Sequence, residues 1–92
     1  MAKKELINAD DAHLFWVEGN GSLRNLKDLA ESLKNMSDDT FAHHVNAERN
    51  DFANWTAEIL QDTRLASELR RAKSRITSLR KVEARLKSHY NI

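Results

Sequence analysis

Residues 63–90 read T-R-L-A-S-E-L-R-R-A-K-S-R-I-T-S-L-R-K-V-E-A-R-L-K-S-H-Y, and this stretch decides the fold. It contains no glycine or proline, and its apolar residues recur every three, four or seven positions, which predicts one uninterrupted helix with a stripe like that of a coiled coil. The stripe consists of Leu65, Leu69, Ala72, Ile76, Leu79 and Leu86. Such a helix is about 40 Å long. The rest of the chain is too small to cover that length, so we expect the distal half to meet a second chain or another partner.

The same stretch carries most of the positive charge. Residues 63–92 hold nine basic residues against two acids, a sum of +7, whereas residues 1–62 hold six basic residues against twelve acids, a sum of −6. The formal net charge of +1 therefore conceals two opposed halves. Such an asymmetry indicates an electrostatic partner, either outside the chain or within a dimer.

On a helical wheel, the basic residues cover nearly all of the face that the apolar stripe leaves. A cationic helix suits a phosphate backbone, because each neutralised phosphate releases counterions and adds affinity that does not depend on sequence. The candidate nucleic-acid contacts are Arg70, Arg71, Lys73, Arg75, Arg80, Lys81 and Arg85. The alternative is a solvated helix that an acidic surface on the other half, or on a partner subunit, neutralises. These residues are accompanied by no base-reading motif and no interleaved aromatic side chains.

The part before residue 63 predicts an N-terminal strand or short β-hairpin. Residues 13–18, H-L-F-W-V-E, are rich in aromatic and β-branched side chains, and Asn20-Gly21 suits a tight turn. An extended segment packed on helices is the alternative. Phe15 and Trp16 would face opposite ways in a strand, so one of them is expected to be exposed or buried only in an interface.

Three short helices follow. Leucines spaced by three and four predict the first, which ends at Asn35. Ser37 is the predicted cap of the second, Asn50-Asp51 of the third, and Asp62 of the last and longest helix. The predicted buried positions of the second helix are Phe41, Ala42 and Val45.

The predicted fold class is therefore mainly α. We expect residues 1–12 to be a flexible N-terminus and residues 13–92 to form a single helical domain. That domain divides into an acidic body, residues 13–62, and a long basic C-terminal helix, residues 63–90.

Composition excludes several classes of protein. Without cysteine, the chain has no disulfide framework, no thiolate zinc site and no cysteine nucleophile. Its apolar runs are much shorter than the roughly 18 residues of a membrane span, and no secretory leader is evident. We therefore expect a cytoplasmic protein without a membrane partner.

The histidines predict no metal site. His43 and His44 are adjacent, so on a helix they point about 100° apart and cannot share an ion. We expect one of them to pack in the core and donate a ring N–H to Asp51 or to a backbone carbonyl, while the other faces water. An enzyme or metal protein centred on His44 is a third hypothesis, which burial of His44 with both ring nitrogens bonded to protein groups would eliminate.

Catalytic signals are weak. The G-N-G-S stretch at residues 19–22 lacks the third glycine and the βαβ unit of a nucleotide-binding fingerprint. No nucleophile and base are spaced in a way that marks a cleft. We therefore predict that the protein is not an enzyme and has no cofactor, and no small-molecule substrate is evident.

Several segments occur together: F-W-V-E-G-N-G-S-L-R-N-L-K-D-L-A-E-S-L, F-A-H-H-V-N, N-D-F-A-N-W-T and D-T-R-L-A. They resemble an uncharacterised family of small archaeal and bacterial domains of unknown function, with an F-x-x-H segment and an N-D-F-A-x-W signature. The matching positions are Phe15, Gly19 or Gly21, Leu26, Leu29, Phe41, His44, Asn50, Asp51, Phe52, Ala53, Trp55, Leu65 and Ala66. The resemblance implies a compact helical domain but no activity. Thr56 departs from the aliphatic residue of the family pattern, and the arginine-rich segment after Arg70 falls outside it.

The leading functional hypothesis is a non-enzymatic interaction module that forms a homodimer through the apolar stripe of residues 65–86. The alternative is a small nucleic-acid-binding protein that uses the basic helix for phosphate contacts. The two hypotheses are compatible, because a dimer would align two cationic helices.

Overall fold

The computed structural model describes residues 4–19 and 21–90, in which a two-stranded hairpin packs against α-helices. After a 3-10 turn at Asp11–His13, the elements are β1 (Phe15–Val17), β2 (Gly21–Leu23), α1 (Leu26–Asn35), α2 (Asp38–His44), α3 (Asp51–Glu58), α4 (Thr63–Ala72) and α5 (Arg75–His89). The predicted class, mainly α with an N-terminal hairpin, is confirmed.

The hairpin is antiparallel, with Phe15 opposite Leu23 and Val17 opposite Gly21. Gly19 and Gly21 have φ angles of 73° and 85°, values that glycine adopts without the steric penalty of a Cβ. The predicted turn at Asn20-Gly21 lies partly outside the described residues, because Asn20 is not among them. Alternation along the strand buries Val17 and leaves Trp16 exposed.

Each of the helices α1 to α5 begins at a side-chain cap. Ser37, Asn50 and Asp62 accept hydrogen bonds from the backbone N–H three residues later, which confirms the three caps predicted from the sequence. Asn25 and Ser74 cap α1 and α5 in the same way. A cap of this kind stabilises a helix by about 0.5 to 2 kcal/mol, because it satisfies a free N–H group.

The helices lie side by side in the order α1, α5, α4, α3, since α5 packs on both α1 and α4, and α4 packs on α3. Leu29 of α1, Leu65 of α4 and Val82 of α5 are completely buried in the shared core. In α2, Phe41 is buried as predicted, but Ala42 is exposed and His44 takes the second buried position.

The predicted helix over residues 63–90 is two helices, which corrects the expectation of one uninterrupted element. The chain leaves α4 at Lys73, whose φ of 59° is left-handed, and Ser74 then starts α5 by accepting the Thr77 N–H. This break turns α5 back along α4 and α1. The reversal buries Val82 and Leu86, so the chain itself covers the length that we expected a partner to cover.

The N-terminal segment also differs from the expectation of a flexible lead-in. Its first three residues lie outside the described residues, but Ala9 is buried and donates its N–H to the Arg24 carbonyl at 2.7 Å. Lys4 donates its N–H to the His89 carbonyl at 2.9 Å, next to the end of α5. Residues 4–12 are therefore part of the folded body, held by backbone hydrogen bonds that side-chain patterning does not reveal.

Candidate functional site

Two of the predicted phosphate contacts are used inside the fold, and Arg85 is the first. Its Nε and Nη2 donate to the two carboxylate oxygens of Asp62 at 2.9 and 3.1 Å. Asp62 is only 4% exposed, and it also accepts the Tyr90 hydroxyl at 2.6 Å and the Leu65 N–H at 3.0 Å. Arg85 therefore joins the C-terminal part of α5 to the start of α4, and its charge is neutralised there.

The pKa values of this cluster reflect the same contacts. Burial alone would raise the pKa of Asp62, but hydrogen bonds from Arg85, Tyr90 and the Leu65 N–H outweigh it, and the pKa lies below its ordinary value. Burial, and then the hydrogen bond to the Asp62 carboxylate, raise the pKa of the Tyr90 hydroxyl. The hydrogen bond to Asp62 likewise raises the pKa of Arg85. The cluster is therefore a neutral hydroxyl and an ion pair over the physiological range.

Arg75 is the second predicted phosphate contact that the fold uses. Its Nε donates to Asp38 Oδ1 and its Nη1 to the Leu33 carbonyl, both at 2.8 Å. These bonds tie the start of α5 to the end of α1 and the start of α2. The expectation that Arg75 and Arg85 contact phosphate is thus corrected, because their guanidinium groups are already held by partners within the chain.

The other five predicted contacts are exposed on the α4–α5 hairpin, and the structure adds two exposed cations to them. We call this set the basic surface: Arg64, Arg70, Arg71, Lys73, Arg80, Lys81 and Lys87. Within residues 4–19 and 21–90, no carboxylate pairs with Arg64, Arg71, Lys73 or Arg80. Lys81 approaches Glu68 at 3.8 Å, and Arg70 donates to the Asn54 amide oxygen at 3.1 Å.

Helix geometry aligns two pairs of these cations. Arg64 and Arg71 are seven residues apart on α4, so they lie on the same side with about 10 Å between them along the axis. Arg80 and Lys87 have the same spacing on α5. Because α4 and α5 pack directly, their axes are about 8 to 10 Å apart.

The predicted self-association stripe lies largely in the core of its own chain. Leu65, Leu69 and Leu86 are buried, and Ala72 and Leu79 are partly buried. Ile76 is the exception, with 43% of its surface exposed. Most of the stripe is buried within its own chain because α5 folds back on α4 and α1. This part is therefore not available to a second copy.

His44 has both ring nitrogens bonded to protein groups. Nδ1 lies 3.0 Å from Asp51 Oδ2, and Nε2 accepts the Glu18 N–H at 3.2 Å, which assigns the ring proton to Nδ1. The residue is 7% exposed, and its ring centroid lies 5.2 Å from those of Phe15 and Phe52. Neither nitrogen is open to a metal ion or substrate, which eliminates the hypothesis of a site centred on His44.

The neighbouring histidine behaves as the sequence predicts. His43 is exposed, and its Nδ1 lies 2.9 Å from Glu18 Oε2. Across the described part of the chain, no three histidine, aspartate or glutamate side chains are grouped closely enough to hold a metal ion.

One concave feature escaped the sequence patterns. We call it the loop pocket: it lies between residues 45–50 and the C-terminal end of α4, with Asn54, Arg70 and Lys73 on its wall, and its volume is about 510 Å³. Arg49, an addition to the predicted cations, also lines it. Its parts come from three separate segments, so no spacing within one segment could have revealed it.

The pair of aromatic residues on β1 divides as predicted. Phe15 stacks on Phe52, with 4.9 Å between the ring centroids, while Trp16 is 69% exposed. Trp16 is therefore a large apolar side chain on the hairpin surface.

None of the helices in residues 4–19 and 21–90 is both long and apolar enough to cross a membrane.

Comparison of the chain with protein-family models, curated proteins and solved structures found no match. The resemblance to a family of small archaeal and bacterial domains therefore stays a prediction. The basic surface and the loop pocket are the features of the molecule that bear on function.

Proposed function

We propose that the protein binds a nucleic-acid duplex by placing the basic surface against its phosphate backbone. The observation that carries this proposal is the separation of roles among the cations. Arg75 and Arg85 are held by carboxylates, whereas Arg64, Arg71 and Arg80 project from the α4–α5 hairpin with no carboxylate partner among the described residues. Exposed arginines without a carboxylate partner are what a phosphate backbone attracts.

The binding mode follows from the residue types. The basic surface offers guanidinium and ammonium groups, which position a protein on phosphates but carry no sequence information. If about five cations each neutralise one phosphate, the logarithm of the association constant falls against the logarithm of salt with a slope of about −4 to −5. We therefore expect binding that is largely independent of sequence and strongly dependent on salt.

The test measures fluorescence anisotropy of a labelled duplex of about 20 base pairs at about 50 and 200 mM salt. Arg64→Glu/Arg71→Glu reverses two charges spaced by seven residues on α4, and we expect it to weaken binding at low salt by at least about tenfold. Lys27→Glu/Lys34→Glu is the matched control, because these exposed lysines have the same spacing on α1. No binding by the unmodified protein at micromolar concentration and low salt would refute the proposal, as would equal losses in both double variants.

A second candidate function is homodimerisation, now centred on Ile76 in place of the whole stripe. Ile76 is 43% exposed and lies one turn before the partly buried Leu79, which gives a small apolar patch at the start of α5. Sedimentation at about 100 μM protein in low and high salt tests this idea. A dimer that Ile76→Asp dissociates would support it, and a strict monomer in both salts would end it.

A further inference from the structure

We propose that the loop pocket binds a nucleoside 5′-monophosphate, a small ligand that combines one phosphate monoester with a neutral ring system. The pocket volume of about 510 Å³ lies within the range of about 300 to 1,000 Å³ that is usual for small-molecule sites. The proposal concerns a free ligand and does not depend on duplex binding, although Arg70 and Lys73 belong to both sites.

The cationic wall of the pocket supplies the phosphate contacts. Lys73 has no carboxylate partner in the described part of the chain, and Arg70 uses only Nη2, on the Asn54 amide oxygen. Arg49 has less to offer, since its Nη2 donates to the His43 carbonyl and its Nε lies 3.3 Å from Asp51 Oδ1. Arg70 and Lys73 together therefore present a fork of guanidinium donors and one ammonium to a dianionic phosphate.

Apart from Glu48 and Arg49 on the loop, the rest of the pocket lining is uncharged. Asn46 uses its amide oxygen to accept the backbone N–H groups of Glu48 and Arg49, and Asn54 uses its oxygen on Arg70. In both asparagines the NH2 group donates to no other described residue, so it can donate to ribose oxygens or to acceptors on a base edge. Val45 and Ala47 supply apolar surface for the face of a ring. Phosphate alone would leave these uncharged groups unused.

The loop is held in place before any ligand arrives. Val45 and Asn50 form an isolated antiparallel bridge, and Asn46 donates its N–H to the Arg49 carbonyl at 2.8 Å. A preorganised loop loses little conformational freedom on binding, which favours affinity for a small ligand. Lys73 on the cationic wall has a left-handed backbone with a φ of 59°, a conformation that glycine or asparagine adopts at lower steric cost than lysine.

The experiment is an amide-resolved NMR titration of the whole chain with AMP, ribose 5-phosphate, inorganic phosphate and adenosine in parallel. We expect AMP to saturate with a Kd of about 1 mM or below and to shift amides in residues 45–50 and 70–73. Inorganic phosphate should bind at least about tenfold more weakly than AMP, and adenosine should not saturate. Ribose 5-phosphate should fall between AMP and phosphate.

Two variants of one residue separate charge from folding. Lys73→Gly and Lys73→Asn both accept a left-handed backbone, so each should keep the melting temperature close to that of the unmodified protein while AMP affinity falls about tenfold. Lys27→Gln removes an exposed cation from α1 and should leave AMP affinity unchanged. If AMP and phosphate bind equally, or if adenosine binds as well as AMP, or if Lys73→Gly retains full affinity, the proposal is overturned.

The two proposals fail in different ways. Arg64→Glu/Arg71→Glu lies outside the loop pocket, so it should weaken duplex binding and leave AMP binding intact. A protein that binds the duplex but shows no saturable AMP shifts would refute the pocket alone.

Discussion

The two ends of the α4–α5 hairpin carry the same residue types in opposite circumstances. At the end near the N-terminus of α4, Arg85 lies against the buried carboxylate of Asp62 and shares it with Tyr90. At the other end, Lys73 has no carboxylate partner among the described residues, and Arg70 contacts only an amide. A cation of this hairpin is therefore structural where groups of the same chain hold it, and available to a ligand where none do.

Of the substitutions that test this comparison, removal of the Asp62 carboxylate should have the largest effect on stability. Asp62→Ala would leave the charge of Arg85 and the hydroxyl of Tyr90 without their partner and would uncap α4, so we expect a loss of about 3 to 5 kcal/mol in the free energy of unfolding. Urea denaturation measures the loss. Asp39→Ala, which removes an exposed acid from the first turn of α2, should cost less than about 1 kcal/mol. A loss below about 1 kcal/mol for Asp62→Ala would show that the cluster is not structural.

Removing the cation should cost less than removing the acid. In Arg85→Met, the Asp62 carboxylate loses two hydrogen bonds but keeps those from Tyr90 and the Leu65 N–H. We expect a loss of about 2 to 3 kcal/mol, the value of hydrogen bonds between charged groups in a mostly buried site. The same denaturation experiment checks the order, and a loss larger than that of Asp62→Ala would contradict it.

Tyr90→Phe tests the third member of the cluster and its dependence on pH. Loss of the hydroxyl should lower the unfolding free energy by about 1.5 kcal/mol near neutral pH, since the bond is to a charged acceptor. The pKa of Tyr90 is raised in the folded protein, so its contribution is complete below about pH 10 and is lost as pH rises through the folded pKa. The gap between the two proteins should therefore close at strongly alkaline pH, and a constant gap would contradict this explanation.

Acid should also destabilise this cluster, in this case through protonation of Asp62. The pKa of Asp62 is lowered by folding, so its contribution is present above the ordinary value near 4 and is lost as pH falls through the folded pKa. Asp62→Asn cannot titrate at this position. Its stability should consequently fall less steeply than that of the unmodified protein below about pH 4, in denaturation curves recorded at a series of acidic pH values. Parallel acid profiles for the two proteins would assign the acid sensitivity to other carboxylates.

Local physics explains which parts of this fold were predictable. The hairpin and the caps at Ser37, Asn50 and Asp62 depend on neighbours within a few residues, and the sequence pattern predicted them. The break at Lys73 escaped prediction because no glycine or proline marks it. The local signal was Ser74, three residues before Thr77, whose N–H it accepts. The apolar periodicity continues across Ser74, so it gave no indication of the cap or of the break.

Long-range contacts explain the parts that were not predictable. Asp62 and Arg85 are 23 residues apart. The sequence did not indicate which of the nine lysines and arginines in residues 63–92 would pair with Asp62. The loop pocket depends on residues 45–50 meeting the end of α4, which only the packing of α3 against α4 brings about. In the short helix α2, the buried face includes His44 and not Ala42. Seven residues are too few for apolar periodicity to distinguish these two faces.

Arg80→Met should have the smallest effect on stability and sharpens the comparison most, because Arg80 and Arg85 are five residues apart on α5. Arg80 is exposed and has no carboxylate partner in residues 4–19 and 21–90, so we expect a change of less than about 0.5 kcal/mol in the unfolding free energy. Duplex binding should depend on Arg80 more than on Arg85, the reverse of their order in stability. Arg80→Met should reduce the slope of the salt dependence by about 1, whereas Arg85→Met, measured below its unfolding transition, should leave that slope unchanged. Equal slopes for both variants would mean that exposure and pairing do not separate binding cations from structural ones on this helix.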